Sequence, residues 1–125
     1  MIPGSDKEHP SFIRSFGYAI EGFVTAVKTE RNINVMLVAG VLTVCAGFFV
    51  GLDTSEWAVI VICIGLVIHG ELCNTAIEAI VDLATQDVHP LAKRAKDIAA
   101  ASVYVLSITA AIVGVLVFAH SLLGL

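Results

Sequence analysis

Three long apolar runs constrain the fold of this chain more than any other feature of its sequence. The first covers residues 33–50, INVMLVAGVLTVCAGFFV, without a charged side chain; a second begins at Trp57, and a third covers residues 98–119. Eighteen helical residues at about 1.5 Å each extend about 27 Å, which nearly matches the hydrocarbon layer of a bilayer. Because hydrocarbon offers the backbone no hydrogen-bond partner, runs of this length predict transmembrane α-helices.

The composition favours a membrane protein over a soluble one. Hydrophobic residues make up 58% of the 125 residues and charged residues 14%, whereas soluble domains average about 25% charged residues. A very apolar soluble helical bundle is the alternative, but the apolar runs approach spanning length. The length is enough for one domain, residues 1–125, and no more.

The seven Lys and Arg residues fall in two segments. Four precede the first apolar run, and three lie within residues 93–96. Because basic residues are retained in cytoplasmic segments, this layout predicts a cytoplasmic N-terminus and a cytoplasmic loop before the third span. The basic residues form no continuous stripe, so we expect no binding of nucleic acid.

An amphipathic pattern precedes the first span. Phe12, Phe16, Ile20, Phe23 and Val27 repeat at helical spacing on one face. This pattern predicts a helix that lies in the membrane interface, although a helix packed on a protein core would show it too. The predicted fold is an all-α membrane protein with a polar lead-in at residues 1–10, an N-terminal amphipathic surface helix at residues 11–29, and membrane helices at residues 33–50, 56–83 and 91–120.

The segment ELCNTAIEAIVD places three carboxylates and an asparagine at the inner end of the second span. Glu71, Asn74, Glu78 and Asp82 are spaced 3, 4 and 4 residues apart and fall within a stripe about 80° wide on one helix face. About twenty residues cross the bilayer, so Glu71 is expected near its inner boundary. A membrane-embedded alcohol could then reach Glu71 while a water-soluble reactant meets Glu78. The stripe could also hold divalent cations or simply face water.

Glu30 is expected at the same level as Glu78. The segment KTERN joins the surface helix to the first span, and Lys96 and Asp97 open the third helix nearby. Mg²⁺ commonly takes one or two carboxylates together with substrate phosphates. Glu30 and Glu78 are therefore candidate metal ligands, and Lys96 is a candidate partner for a polyphosphate. The alternative is that these charges are solvated helix ends that form surface ion pairs.

Two motifs together carry a resemblance to a known family. ELCNTAIEAIVD, followed by HPLAKRAKD at residues 89–97, resembles the small bacterial diacylglycerol kinase and undecaprenol kinase family. GYA at residues 17–19 and TERN at residues 29–32 extend the similarity, which covers the chain from about Ser11 to Val113. The pairing of ExxNTAIExxxD with AKD at this distance is highly specific, whereas neither half alone would be.

This resemblance implies an ATP- and Mg²⁺-dependent lipid kinase of the bacterial cell membrane. It also implies a homotrimer whose active sites lie at the cytoplasmic boundary and are shared between neighbouring subunits. By its position in the motif, Glu71 resembles the general base of the family. Asn74 resembles the residue that orients the base or the acceptor hydroxyl, and Glu30 and Glu78 resemble the magnesium ligands. The further nucleotide contacts that the resemblance implies are Tyr18, Asp87, His89, Lys96 and Asp97.

The sequence leaves alternatives for the lipid that accepts the phosphoryl group and for the class of function. TERN and HPLAKRAKD look more like the Gram-positive branch, where undecaprenol is the usual acceptor, than like the branch with HELSGRAKD, which favours diacylglycerol.

A small oligomeric proton-coupled transporter would need Glu71 to line a path open to both sides. The outer half of the second span has no polar residue on that face until Ser55. A structural subunit without chemistry is the third alternative.

Overall fold

The computed structural model describes residues 11–125 as four α-helices joined by short turns. Helix α1 is Phe12–Thr29, α2 is Arg31–Val50, α3 is Thr54–Ala84 and α4 is Pro90–Leu123. Helices α2, α3 and α4 are long and apolar enough to cross a membrane, and residues 11–125 contain no strand. The predicted all-α membrane fold is therefore confirmed. The lead-in predicted for residues 1–10 lies outside the described residues.

Helix α1 begins with a side-chain cap and packs against the rest of the chain at few points. The Ser11 hydroxyl accepts a hydrogen bond from the Arg14 backbone N–H at 3.3 Å, as expected of an N-cap serine. Ala26 is the buried residue of this helix, and large apolar side chains such as Phe12 and Phe16 are exposed. An exposed apolar face next to a membrane span is suited to the membrane interface.

A single residue separates α1 from α2. Glu30 has extended backbone angles, φ −113° and ψ 119°, and is both the C-cap of α1 and the N-cap of α2. Helix α2 therefore begins at Arg31, two residues before the predicted start, because the polar end of TERN is helical rather than part of a linker. The end of α1 is thus set directly against the start of the first membrane helix.

The turn between α2 and α3 is closed by a glycine and a capping box. Gly51 adopts a left-handed conformation with φ 80°, which glycine reaches without steric cost. The Asp53 carboxylate accepts a hydrogen bond from the Glu56 backbone N–H at 2.9 Å, and the Glu56 carboxylate accepts one from the Asp53 N–H at 2.8 Å. This reciprocal pair starts α3 at Thr54, two residues before the predicted start.

Helices α3 and α4 form a long antiparallel hairpin. His89 caps α4 by accepting a hydrogen bond at Nδ1 from the Leu91 backbone N–H at 3.1 Å, and Pro90 occupies the first helical position.

Three contacts mark the register of the hairpin. They are Asp82 with Lys96 beside the loop, Gly70 with Leu106 in the middle, and Glu56 with His120 at the far end. We call the end that contains the α3–α4 loop and the α1–α2 joint the basic end, since five basic residues are found there: Lys28, Arg31, Lys93, Arg94 and Lys96.

The membrane helices bury few side chains against one another. Ile33 and Ile60 are the apolar side chains with almost no exposure, whereas most Val, Leu, Ile and Phe side chains face outwards. An apolar groove of about 620 Å³ lies between α2, α3 and α4. Outward apolar faces are stable in a bilayer because lipid tails are as apolar as these side chains.

Candidate active site

Helix α3 buries two polar side chains on the face that the spacing predicts. Glu71 is 2% exposed and Asn74 is 7% exposed, and they are the buried polar or charged residues within residues 11–125. Glu78 is half-buried and Asp82 is exposed, so burial decreases along this face towards the basic end. A buried carboxylate is stable only with hydrogen-bond or charge partners, which makes the surroundings of Glu71 informative.

Asn74 joins the buried and the half-buried parts of this face. Its Nδ2 donates a hydrogen bond to Glu78 Oε1 at 3.2 Å. Asn74 Oδ1 and Thr75 Oγ1 are buried and have no hydrogen-bond partner among the described residues. Since buried polar groups are nearly always hydrogen-bonded, these two atoms are available to a group that binds beside Glu71.

The α1–α2 joint brings two more polar side chains to Glu71. Glu30 is half-buried and, like Glu78, lies close enough to Glu71 for their charges to interact. The Asn32 side chain also lies near the Glu71 carboxylate. Glu30, Glu71 and Glu78 therefore form a cluster of carboxylates at the basic end, which we call the acidic cluster.

The acidic cluster has the composition of a cation site. No Lys or Arg within residues 11–125 lies at ion-pair distance from its three carboxylates, and like charges at close range repel one another. The described residues contain no group of three or more His, Cys, Asp or Glu side chains arranged to hold a metal ion by themselves. Mg²⁺ needs only one or two carboxylates when substrate phosphates complete its shell. Glu30 and Glu78 are the residues of the acidic cluster that could supply such carboxylates.

Lys96 and Asp97 each form an ion pair within the chain. Lys96 Nζ lies 2.6 Å from Asp82 Oδ1, which places the ammonium group at the end of the acidic face of α3. Asp97 Oδ2 lies 2.5 Å from Lys93 Nζ, and both side chains are exposed. They line a separate hollow of about 410 Å³ on α4. Lys96 is therefore next to the acidic cluster, whereas Asp97 faces a different surface of the chain.

The other predicted nucleotide contacts form no hydrogen bond or ion pair with the acidic cluster within residues 11–125. Tyr18 is 41% exposed on α1, and about 18 Å of helix separates it from Glu30. Asp87 is exposed in the α3–α4 loop, where its backbone N–H donates to Thr85 Oγ1 at 3.1 Å. His89 is exposed and caps α4. Contacts within one chain thus link Asn74 to the acidic cluster and Lys96 to the neighbouring Asp82, whereas these three residues make no such contact.

Three residues around the acidic cluster are missed by the sequence analysis. Asn32 lies near Glu71, Asn34 crosses the α1–α2 joint, and Gly70 leaves room for α4 beside Glu71. The two asparagines could have been noticed, because an amide at the edge of an apolar run needs hydrogen-bond partners. Nothing distinguishes Gly70 from the other glycines in the sequence, because its contact with α4 is tertiary.

Comparison with known proteins identifies the family. The profile of the family described as prokaryotic diacylglycerol kinase matches residues 17–118. A Bacillus subtilis (strain 168) protein named undecaprenol kinase is 43% identical over 107 residues, which are 86% of this chain and 87% of that protein. A Synechocystis diacylglycerol kinase is 41% identical over 106 residues, 84% of this chain and 61% of that protein. The diacylglycerol kinase of Escherichia coli (strain K12) is 32% identical over 100 residues, 80% and 82% of the two chains.

The matched region covers the site as well as the fold. It begins one residue before Tyr18 and continues almost to the end of α4, so it contains every residue of the acidic cluster. The resemblance drawn from the two motifs is therefore confirmed. The chain belongs to the prokaryotic diacylglycerol kinase family and is a lipid kinase with membrane-spanning helices.

Proposed function

We propose that this chain is an undecaprenol kinase, which uses ATP and Mg²⁺ to transfer the γ-phosphoryl group to the hydroxyl of its lipid. The observation that carries the proposal is the burial of Glu71 beside two further carboxylates at the end of the apolar stretch of α3. A lipid hydroxyl from the bilayer and a nucleotide from water can meet there. The 43% identity to the Bacillus protein named undecaprenol kinase supports undecaprenol as the acceptor.

Glu71 acts as the general base in this proposal. Its carboxylate takes the proton of the lipid hydroxyl as the hydroxyl oxygen bonds to the γ-phosphorus of ATP and the bond to the ADP oxygen breaks. Burial of Glu71 keeps bulk water away from the reacting oxygen, which limits hydrolysis of ATP. Asn74 orients the base or the hydroxyl, since its unpartnered Oδ1 lies on the same buried face.

Glu30 and Glu78 hold Mg²⁺ together with the phosphates of ATP. Bound there, the ion would neutralise negative charge on the phosphates during transfer. When the nucleotide binds, the Lys96 ammonium group leaves its ion pair with Asp82 and forms one with a nucleotide phosphate. The side chains of the Lys96–Asp82 pair are 41% and 52% exposed, and exposed ion pairs stabilise a protein by only about 0–1 kcal/mol, so this exchange is inexpensive.

The proposed assembly is a homotrimer in the bacterial cell membrane with the basic end in the cytoplasm. The orientation rests on the basic residues at that end, since such residues are retained on the cytoplasmic side. Tyr18, Asp87, His89 and Asp97 are proposed to contact the nucleotide although they lie apart from the acidic cluster of their own chain. A neighbouring subunit can bring them to the cluster, and the outward apolar faces of the membrane helices leave room for such a neighbour.

Diacylglycerol is the second candidate acceptor. The Synechocystis relative, which is named diacylglycerol kinase, has nearly the same identity to this chain as the Bacillus relative. A proton-coupled transporter has less support. The buried residues of α3 are Ile60, Gly70, Glu71 and Asn74, so no buried polar path continues along this helix from Glu71 towards the other end.

A lipid panel tests the proposal. Purified protein in detergent micelles, supplied with Mg²⁺ and γ-labelled ATP, is offered undecaprenol and diacylglycerol in parallel, with Glu71→Gln as the inactive control. We expect strong labelling of undecaprenol and weaker labelling of diacylglycerol. Stronger labelling of diacylglycerol would transfer the assignment to the second acceptor. Absence of labelled lipid with both acceptors, from protein that is helical by circular dichroism, would refute the kinase assignment.

A further inference from the structure

The place of Glu30 depends on a joint that has little packing around it. Glu30 is the single extended residue between α1 and α2, and Ala26 is the buried residue of α1. A helix with so few packed contacts can change its angle at small energetic cost. The carboxylate of Glu30 would move with the joint, so interactions at the joint decide how closely Glu30 approaches Glu71.

Asn34 is the side chain that crosses this joint. It lies in the first turn of α2, and its Nδ2 donates hydrogen bonds to the Val27 carbonyl at 2.8 Å and to the Glu30 carbonyl at 3.0 Å. A carboxamide nitrogen carries two hydrogens, so each carbonyl receives one. Within the described residues this is the side-chain hydrogen bond that links α1 to α2.

One of the two acceptors is a carbonyl that the end of α1 leaves in need of a donor. The last backbone hydrogen bond of α1 runs from the Glu30 N–H to the Ala26 carbonyl at 2.9 Å. The next carbonyl, that of Val27, belongs to the helix end that lacks intrahelical donors. Asn34 supplies this donor from α2 and thereby ties the end of one helix to the start of the next.

We propose that Asn34 is a positioning residue that sets the angle of the α1–α2 joint and so holds Glu30 at the acidic cluster. This inference rests on the proposed function, because it assigns Glu30 to the divalent cation. Asn34 does not itself touch the cation or the reacting atoms. Residues that orient metal ligands commonly change metal affinity by about 10- to 100-fold when they are replaced.

This role of Asn34 predicts that its replacement changes the binding of Mg-ATP and not the binding of the lipid. Loss of the Asn34 hydrogen bonds loosens Glu30, so cation binding and the KM for Mg-ATP should worsen. The lipid hydroxyl is handled by Glu71 and Asn74 on α3, which Asn34 does not contact, so the KM for lipid should change little. A general loss of folding would instead lower the yield of active protein without separating the two KM values.

The experiment uses the full chain in detergent micelles, with Mn²⁺ and a saturating non-hydrolysable ATP analogue as the probe, because nucleotide phosphates complete the shell of the cation. Protein-bound Mn²⁺ is followed by electron paramagnetic resonance. Asn34→Ala removes both donors and Asn34→Ser keeps one. The matched control is Thr43→Ala, because Thr43 Oγ1 also donates to a backbone carbonyl, that of Ala39 at 2.8 Å, but within α2. We expect half-saturating Mn²⁺ to rise about tenfold for Asn34→Ala, by a smaller factor for Asn34→Ser, and less than twofold for Thr43→Ala.

A double-mutant cycle tests whether Asn34 changes cation binding through Glu30. If Asn34 acts through Glu30, Asn34→Ala should add little to the Mn²⁺ defect of Glu30→Gln, since coupled residues are non-additive. Wild-type Mn²⁺ affinity in Asn34→Ala, additivity with Glu30→Gln, or equal changes in both KM values would overturn the proposal. The Mn²⁺ titration needs no turnover, so it still tests the role of Asn34 if no lipid acceptor is phosphorylated. Absence of lipid phosphorylation would instead count against the proposed function.

Discussion

The close approach of α3 and α4 beside Glu71 leads to a sharp prediction about Gly70. An ideal Cβ built on Gly70 would lie 2.5 Å from Leu106 Cδ1, whereas non-bonded carbon atoms attract best at about 3.5–4.0 Å. Gly70→Ala must therefore displace the Leu106 methyl group or α4 by about 1 Å. Overpacking of this kind costs about 1–3 kcal/mol. The cost should be near the lower end if Leu106 can rotate, because the clash involves the tip of its side chain.

Gly65→Ala is the matched control for this substitution. Gly65 lies in the same helix, and nothing is found within 4 Å of its ideal Cβ. Both substitutions gain the same helix propensity, about 1 kcal/mol for alanine over glycine, so the difference between them isolates the clash. With Leu106 replaced by alanine in both variants, the difference between Gly70→Ala and Gly65→Ala should disappear.

Two measurements follow the effect of Gly70→Ala. Unfolding in sodium dodecyl sulfate, monitored by circular dichroism, should place Gly70→Ala about 1–3 kcal/mol below Gly65→Ala. The turnover of lipid phosphorylation should also fall, by up to about 100-fold if Glu71 is displaced by 1 Å. Equal stability and equal turnover of the two variants would refute the close approach of α3 and α4 at this level.

Three further predictions concern the acidic cluster and the far end of the hairpin. Glu71→Gln should reduce turnover by about 10²- to 10⁴-fold with little change in nucleotide binding measured by equilibrium dialysis; near-wild-type turnover would show that Glu71 is not the base. Glu78→Gln should raise the Mg²⁺ concentration that gives half-maximal activity by at least tenfold, and an unchanged Mg²⁺ dependence would remove Glu78 from the metal site. His120→Ala should lower stability in the dodecyl sulfate assay by about 1 kcal/mol, because His120 Nδ1 lies 3.0 Å from Glu56 Oε1 and the Glu56 side chain is only 11% exposed. Leu123→Ala, at an exposed position on the same helix, is the control, and equal stability of these two variants would contradict the role of the pair.

The helices were predictable because their causes are local. The apolar runs set the three membrane helices, and the spacing of apolar residues set α1, which begins at Phe12, one residue after the predicted start, because Ser11 is its N-cap. The predicted ends differ by one to three residues where capping decides them. Helix α3 begins at Thr54 because Asp53 and Glu56 form a capping box, and α4 continues to Leu123 before a left-handed Gly124.

The candidate site was predictable in its membership but not in its arrangement. Helical spacing places Glu71, Asn74 and Glu78 on one face whatever the helix packs against. It does not show that Asn74 bonds Glu78, or that Lys96 pairs with Asp82. These partners depend on side-chain conformations and on the register of α3 against α4, neither of which is local.

The sequence by itself therefore determined a membrane-spanning helical chain with a row of acidic side chains at the edge of an apolar stretch. Those properties depend on helix periodicity and on the length of apolar runs, both of which are read within one segment. Only the tertiary structure decided that Glu71 is almost completely buried, that Glu30 reaches it from the α1–α2 joint, and that Gly70 lets α4 approach. Burial and proximity depend on which faces of separate helices meet, and that is settled by packing across the whole chain.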